Sequence, residues 1–408
     1  MRLTKVGALI GSAALLFTAC STAASPPSDP LGVVTIPAGE PIHIVFWAVL
    51  SGADATLGED QKRGVEIAID DKGGKLLGRD ILLTTEDGLC TPEGGATAAQ
   101  KLAADSTIVG LIGSSCSDET VGGIKSITEA GLTTISGSNT RPALTFPDRD
   151  ATYAGYARTA HSDAFQGKAA AEFVYNELGL KTAATIHDGS GYAEALQQVF
   201  ADEFTALGGT ITVQEAISKG QTDMKPVLTA IAATSPEIIY YPVFIAEAGF
   251  LTDQVKQVPG LENVKTMGAD GHFSGDFIKA AGSAALGHYL SSPDFTAFAA
   301  GYQDFLAKHK AKYAGDPLSI FHAHAYDAAN ILFAALEKVA ITEGDTIYIP
   351  KGALRDAIFA TKDFAGITGT LSCSPSGDCG APVIAVYQVT QREIDGAWPP
   401  EAPIWPKR

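Results

Sequence analysis

Thr107-Ile-Val-Gly-Leu-Ile112 runs directly into Gly113-Ser-Ser-Cys-Ser-Asp-Glu-Thr120, and this junction decides the fold. The first six residues are apolar without polar alternation, so a strand made from them must be buried on both faces. The hydroxyl-rich stretch behind them opens a helix expected through 121–130, because short polar side chains satisfy the free N–H groups of a helix start. The same order recurs on both sides. Upstream stand Ile42-His-Ile-Val-Phe-Trp-Ala-Val49, a helix over 59–71 with Val65, Ala68 and Ile69 at helical spacing, Ile81-Leu-Leu-Thr-Thr85, and a helix over 94–105. Downstream, Leu132-Thr-Thr-Ile135 supplies the next strand. Buried strands alternating with helices predict a parallel sheet covered on both faces.

The pattern restarts beyond about residue 160. Strands are expected at 181–186, 210–213, 237–244 and 264–267, with helices over 192–207 and 224–233 and another ending at 257. The fold class is therefore α/β, with two doubly wound lobes and a cleft between them. In open α/β sheets ligands sit beyond the carboxyl ends of the strands, so the strand-end loops are where a site is expected.

The chain start carries a different signal. Arg2 and Lys5 precede an apolar or small run from Val6 to Ala19, which ends in Phe17-Thr18-Ala19-Cys20. At about 14 residues the run is too short to span a ~30 Å bilayer core and reads as the apolar region of a signal peptide. The terminal tetrapeptide resembles the lipobox of bacterial lipoproteins, which makes Cys20 the expected lipidation site. Residues 1–20 are then a lipoprotein signal peptide. Residues 21–41, rich in Ser, Ala, Pro and Gly, are expected to be a flexible tether. No later segment is apolar and long enough to cross a bilayer, so the chain is expected outside the cytoplasm, held to the cell envelope by lipid alone.

The formal net charge is −17, which argues against nucleic-acid partners and against attraction to anionic lipid. Of five cysteines, four remain after Cys20. An even number in an exported chain suggests disulfides. Cys373 and Cys379 flank the turn-rich Ser-Pro-Ser-Gly-Asp and are paired on that ground, leaving Cys90 with Cys116. The rival use, zinc, lacks any C-x₂-C pair.

Three strand-end loops stand out: 113–120, Ser136-Gly-Ser-Asn-Thr140, and Gly268-Ala-Asp-Gly271. Hydroxyls and N–H groups at a helix start suit a carboxylate, and a lone carboxylate opposite suits an ammonium. At this point the chain resembles a known family. Leu50-Ser-Gly52, Lys72-Gly-Gly74, Ile112-Gly113 with Cys116-Ser117, Ile135-Ser136 with Thr140-Arg-Pro-Ala-Leu-Thr145, Arg158-Thr159 with Asp163 and Gln166-Gly167, Ile186-His-Asp188 with Tyr192, and Tyr240-Tyr241 follow in that order. They are similar to the periplasmic Leu/Ile/Val-binding proteins, the type I solute-binding proteins of branched-chain amino-acid ABC transporters. The resemblance runs from Ile42 to about Val389.

The resemblance implies a type I periplasmic-binding fold with three crossings between lobes, near 158–163, 288–292 and 368–371. The N-terminal lobe would comprise 42–160 plus 292–367, and the C-terminal lobe 161–291 plus 368–400. Ser117 and Thr140 would hold a ligand α-carboxylate, the backbone at Ser138 would accept from its ammonium, and Asp270 would meet that ammonium. Leu57, Cys116, Tyr192 and Phe244 would line the side-chain pocket, and family members commonly bridge the positions of Cys90 and Cys116. Asp163 either touches the ammonium from the hinge or pairs with Arg158. This chain departs from the family pattern at Asp270, where Glu is usual, at Leu57 and Phe244, where Trp or Tyr is common, and at Asp118, a negative charge beside the expected carboxylate site.

Each candidate also has a plain structural reading. Ser117, Thr140 and Asp270 can serve as helix caps, and Tyr192 and Phe244 as core residues. His322 and His324 invite a metal, but residues two apart on a helix do not share a face, and neither a metal nor a cofactor is expected. No G-x-S-x-G elbow, phosphate-binding loop or dinucleotide fingerprint is present, so an enzyme is not expected. The expected function is a monomeric, lipid-anchored binding protein that delivers an amino acid to an ABC transporter permease. The alternative is a sensor that reports an amide, urea or amino acid to a signalling partner.

Overall fold

The computed structural model describes residues 27–407, and the expected signal peptide and Cys20 lie outside them. In chain order the first part comprises β1 (Val33–Ile36), β2 (Ile42–Ala48), α1 (Ala55–Asp71), β3 (Lys75–Leu76), β4 (Arg79–Asp87) and α2 (Pro92–Ala104). It continues with β5 (Ile108–Gly113), α3 (Ser117–Glu129), β6 (Thr134–Ser136) and β7 (Tyr156–Arg158). These strands form a sheet of order β3-β4-β2-β5-β6-β7. All its pairs are parallel except β3 with β4.

The second part comprises α4 (Asp163–Glu172), β8 (Thr182–His187), α5 (Gly191–Ala206), β9 (Thr210–Ala216), α6 (Lys225–Ala232) and β10 (Ile238–Tyr240). After these come α7 (Ile245–Val255), β11 (Lys265–Gly268), α8 (Gly275–Ala281) and β12 (Tyr289–Pro293). The chain then returns to the first lobe through α9 (Gly301–Tyr313), α10 (His322–Val339), β13 (Ile341–Glu343), β14 (Thr346–Pro350), α11 (Lys351–Phe359), β15 (Phe364–Gly366) and β16 (Gly369–Leu371). It ends on the second lobe with β17 (Ile384–Gln388) and α12 (Gln391–Ile394). The second sheet has the order β17-β12-β11-β10-β8-β9, with only β17 antiparallel.

The central strand β2 shows why its sequence is uninterruptedly apolar. Ile44 and Phe46 pack towards Ala325, Ala329 and Leu332 of α10. Val45 and Trp47, on the opposite face, pack towards Ala98 of α2 and Ile124 of α3. In each sheet the strand order reverses beside its first parallel strand, between β2 and β5 and between β8 and β10. The loops leaving those strands diverge and open a crevice at each switch point. Gly113 makes the first crevice possible: it has φ +129°, and a Cβ there would come within 1.9 Å of the Trp47 carbonyl oxygen.

Three expectations need correction. The tether does not extend to residue 41, because β1 pairs antiparallel with β14 and buries Val34 and Ile36. The strand expected over 237–244 stops at Tyr240, before Pro242, which cannot donate to a ladder. The last crossing falls beyond Cys379 rather than at 368–371, since Leu371 and Cys379 belong to the first lobe's core and Asp378 bridges to Arg158 at the edge of β7.

Both expected disulfides are present, Cys90–Cys116 and Cys373–Cys379. Their sequence separations of 26 and 6 residues set their expected contributions apart. Restriction of the unfolded chain gives about 3.5 kcal/mol for the longer loop and about 2 kcal/mol for the shorter. Urea unfolding of Cys90→Ala/Cys116→Ala is therefore expected to show the larger loss of the two double variants. The reverse order would mean that loop closure does not govern these bridges.

Candidate ligand-binding site

The two crevices face each other across one small, tightly closed cavity. From the first lobe come Leu57 on α1, Ser115, Cys116 and Ser117 at the start of α3, and Ser138 and Thr140 after β6. From the second come Tyr192 near the start of α5, Phe244 at the start of α7, and Asp270 and Gly271 after β11. Phe321, just before α10, completes the wall. Eight of the nine expected ligand residues thus meet in one place, and Asp163 stands outside the lining. Ser115, Gly271 and Phe321 were not singled out from sequence. Phe321 sits in the Phe-His-Ala-His run whose histidines drew notice instead.

The wall is divided by chemistry. Leu57, Phe244, Phe321 and the Tyr192 ring form its apolar part, with the Tyr192 and Phe244 ring centres 5.2 Å apart. The polar part contains four hydroxyl-bearing residues and Asp270, and no lysine or arginine. The helix start at 113–120 suggests free N–H groups for an anion, but those of Ser115 and Cys116 are taken. Glu119 accepts both at 3.0 Å through one oxygen and the Cys90 N–H at 2.8 Å through the other. The Ser115 and Ser117 hydroxyls remain as donors at this helix start. Ser117 Oγ accepts from the Arg141 N–H at 3.4 Å and Ser115 Oγ from Gln61 Nε2 at 3.2 Å. Each of these bonds uses a lone pair and leaves an O–H to donate. The Ser138 hydroxyl instead donates to the Ser115 carbonyl at 2.6 Å.

Asp270 is 2% exposed and held from one side. Its Oδ1 accepts from the Tyr192 hydroxyl at 2.5 Å and from Gln166 Nε2 at 3.1 Å. Burial raises its pKa, and His161, Tyr192 and Gln166 offset only part of that rise. Asp163, the first residue of α4, is fully buried. Burial and the neighbouring Asp270 charge push it well above the ordinary carboxylate range. Neither of its oxygens meets a donor at hydrogen-bonding geometry, although the Thr140 hydroxyl lies near enough to offset part of the cost. Its alternative partner is taken: Arg158 Nη2 pairs with Asp378 at 2.7 Å and donates to Thr145, while Nη1 donates to the Asn139 and Arg141 carbonyls.

Asp118 turns away from the hydroxyls. Its carboxylate accepts the Gly191 N–H at 3.0 and 3.1 Å, which joins the first lobe to the start of α5 in the second. A negative charge there is favoured by the helix N-terminus. Lys219 makes a second link across the cleft, to Asp54 at 3.2 Å and to the Cys90 carbonyl at 3.3 Å. Thr56 adds a third by donating to Asp276 at 2.5 Å. The lobes are therefore closed on each other around the cavity. His322 is structural: its ring meets Asp60 at 3.0 Å and the Tyr302 hydroxyl at 2.9 Å. Among the described residues no group of three metal-ligating side chains comes together.

Comparison with known proteins places this geometry. Residues 41–391 match the family described as periplasmic binding protein. The chain is 25% identical over 359 residues to Leu/Ile/Val-binding protein homolog 3 of Brucella melitensis, covering 87% of this chain and 93% of that one. It superimposes with a TM-score of 0.75 and 25% identity on the branched-chain amino acid transporter substrate binding protein LivJ from Streptococcus pneumoniae in complex with isoleucine, covering 86% and 96% of the two chains. A solute binding protein from R. palustris in complex with benzoate gives a TM-score of 0.72 at 22% identity, with 85% and 93% covered, and shares the fold.

Proposed function

The chain belongs to the periplasmic binding protein family, and on that premise we propose that it captures a small amino acid, branched-chain or close to it in size, and delivers it to an ABC transporter. Members of the family are extracytoplasmic solute-binding proteins, not enzymes. The observation that carries the ligand class is the mixed lining, which brings hydroxyls with O–H groups to donate, a buried carboxylate, and the apolar Leu57, Phe244 and Phe321 into one cavity. A zwitterion is costly to desolvate unless both charges are met, and this wall offers a partner for each. Ser117 and Thr140, with Ser115, take the α-carboxylate; Asp270 takes the ammonium; the apolar wall takes the side chain. Benzoate carries no cation for Asp270 to meet, so the neighbour that holds it is a poorer guide to this ligand than the isoleucine complex. Cys20, if lipidated, tethers the first lobe through β1.

The working cycle is hinge closure. The ligand head binds the first-lobe hydroxyls, and closure brings Asp270 and Tyr192 over it while Asp118 reaches Gly191 and Lys219 reaches Asp54. Lys219→Met leaves Asp54 unpaired only in the closed form, and a ligand can shift the equilibrium only by its preference for that form. Affinity is expected to fall by roughly 5–30-fold, about 1–2 kcal/mol, with the ligand-free radius of gyration moving towards an open shape in small-angle scattering. Unchanged affinity would show that closure does not depend on this link.

The function is tested by thermal-shift screening of the full chain against amino acids, amides, urea and aromatic carboxylates. A ligand at about 100 times its dissociation constant adds about 2.7 kcal/mol, a shift of several degrees. A response to leucine, isoleucine or valine is expected. A response to benzoate alone would overturn the zwitterion assignment, and a response to amides or urea alone would change the ligand class within the same fold.

A further inference from the structure

Asp163 and Asp270 are 0% and 2% exposed, and each feels the other's charge. Gln166, three positions along α4 from Asp163 and so on the same face, donates to Asp270 Oδ1 at 3.1 Å, which sets the two carboxyls in one neighbourhood. Thr140, Arg158, Tyr192 and Asp270 act on Asp163, and His161, Gln166 and Tyr192 act on Asp270. Tyr240 faces both. Arg158 is the one permanent cation in this set, and its guanidinium is bound to Asp378. His161 is buried, and desolvation lowers its pKa, so it is a poor store for a proton. Its Nε2 lies 2.5 Å from Gln166 Oε1 while Gln166 Nε2 donates to Asp270, so the neutral ring satisfies the chain His161–Gln166–Asp270. The start of α4 favours a charged Asp163, but by less than the cost of a second unpaired charge in a buried site. Two carboxylates placed so cannot both be ionised without a cation.

We propose that the ligand-free site holds one proton shared between Asp163 and Asp270, and that the ammonium of the ligand takes its place, so that each binding event expels one proton. The exchange balances: the pair begins with one proton and one negative charge, and ends as two carboxylates facing one ammonium, with the proton released to solvent. Asp163 is then the second counter-charge behind Asp270, which accounts for a buried carboxyl that has the Thr140 hydroxyl nearby but no donor at full hydrogen-bonding geometry. The site selects for a cationic nitrogen over a neutral amide of the same shape, because only a cation can replace the proton. This inference rests on the proposed amino-acid reading for the source of the cation, but its first half concerns the ligand-free protein alone.

Carbon-13 NMR of the full chain labelled at aspartate carboxyl carbons, without ligand and near neutral pH, is expected to show a protonated carboxyl that vanishes in Asp163→Asn. Asp270→Asn removes the same signal and serves if the first variant does not fold. Calorimetric titration with L-leucine in two buffers of unlike ionisation enthalpy should then read about one proton released per ligand, and affinity rising by up to about tenfold per pH unit while the pair holds its proton. Asp163→Asn abolishes that release. Finding every aspartyl carboxyl ionised in the ligand-free protein, with the proton on His161 or absent, overturns the proposal; so does leucine binding without proton exchange. A protonated carboxyl together with no binding of leucine would leave the proton pair standing and remove the branched-chain reading instead.

Discussion

Asp270→Asn is expected to weaken binding of the native amino acid by roughly 10²–10³·⁵-fold, about 3–5 kcal/mol. The substitution preserves shape, and the side-chain oxygen can still accept from Tyr192, which now holds Asp270 Oδ1 at 2.5 Å. Only the charge is lost. The ammonium would then enter a cavity whose lining contains no other carboxylate, with Asp163 set behind the wall. The ligand-free variant should be at least as stable as the parent at neutral pH. Burial raises the pKa of Asp270, so the folded state binds a proton more tightly than the unfolded chain and loses stability as pH rises through that raised value. A neutral amide escapes this loss. Calorimetry and urea unfolding on the same preparation separate the two effects, and binding within about threefold of the parent would remove Asp270 from the ammonium site.

Which parts of this site could be read in advance follows from how local their causes are. The loops at 113–120, 136–140 and 268–271 announce themselves because each joins an apolar run to hydroxyls, glycines or an acid, and the switch-point rule places such loops in the crevice. The short strand β1 gives no such sign. Its four residues lie among prolines and glycines, and its partner, β14, is more than 300 residues away: Val33 stands opposite Pro350. The late crossing was misplaced for a similar reason, since Asp378 is bound to the edge of β7 through Arg158, 220 positions earlier. Asp118 illustrates a different failure. Adjacent positions on a helix point about 100° apart, so a charge next to Ser117 in sequence need not face what Ser117 faces, and here it caps α5 on the other lobe. Gln61 and Gln166 reach Ser115, Ser138 and Asp270, partners that no spacing rule connects to them. Glu119, by contrast, stands three positions after the N-cap Cys116, at capping-box spacing, and also holds the distant Cys90 N–H.

Glu119→Ala is expected to cost roughly 3–6 kcal/mol of folding stability, because it orphans three buried N–H groups at about 1–3 kcal/mol each, less the relief of no longer burying a carboxyl. Those groups belong to Cys90, Ser115 and Cys116, so the same change loosens the wall that carries the hydroxyls. Glu119 also has a pH signature. Burial raises its pKa from 4.5 to about 7 against the opposing pull of the three N–H bonds. A raised carboxyl pKa means the folded state holds its proton where the unfolded chain has released it. The contribution is therefore fully present below about pH 4.5 and is lost as pH rises to about 7, by roughly 3 kcal/mol. Glu119→Gln removes that dependence, yet it turns an NH₂ group towards at least one backbone N–H and should itself cost about 1–3 kcal/mol. Urea unfolding at about pH 5 and about pH 8 distinguishes these terms: the parent should lose stability between the two, and the Gln variant should lose less. Parallel curves for parent and variant would mean that Glu119 stays ionised across the range, held by its three donors, and that the loop before α3 owes its shape to a fixed anion rather than to a titrating one.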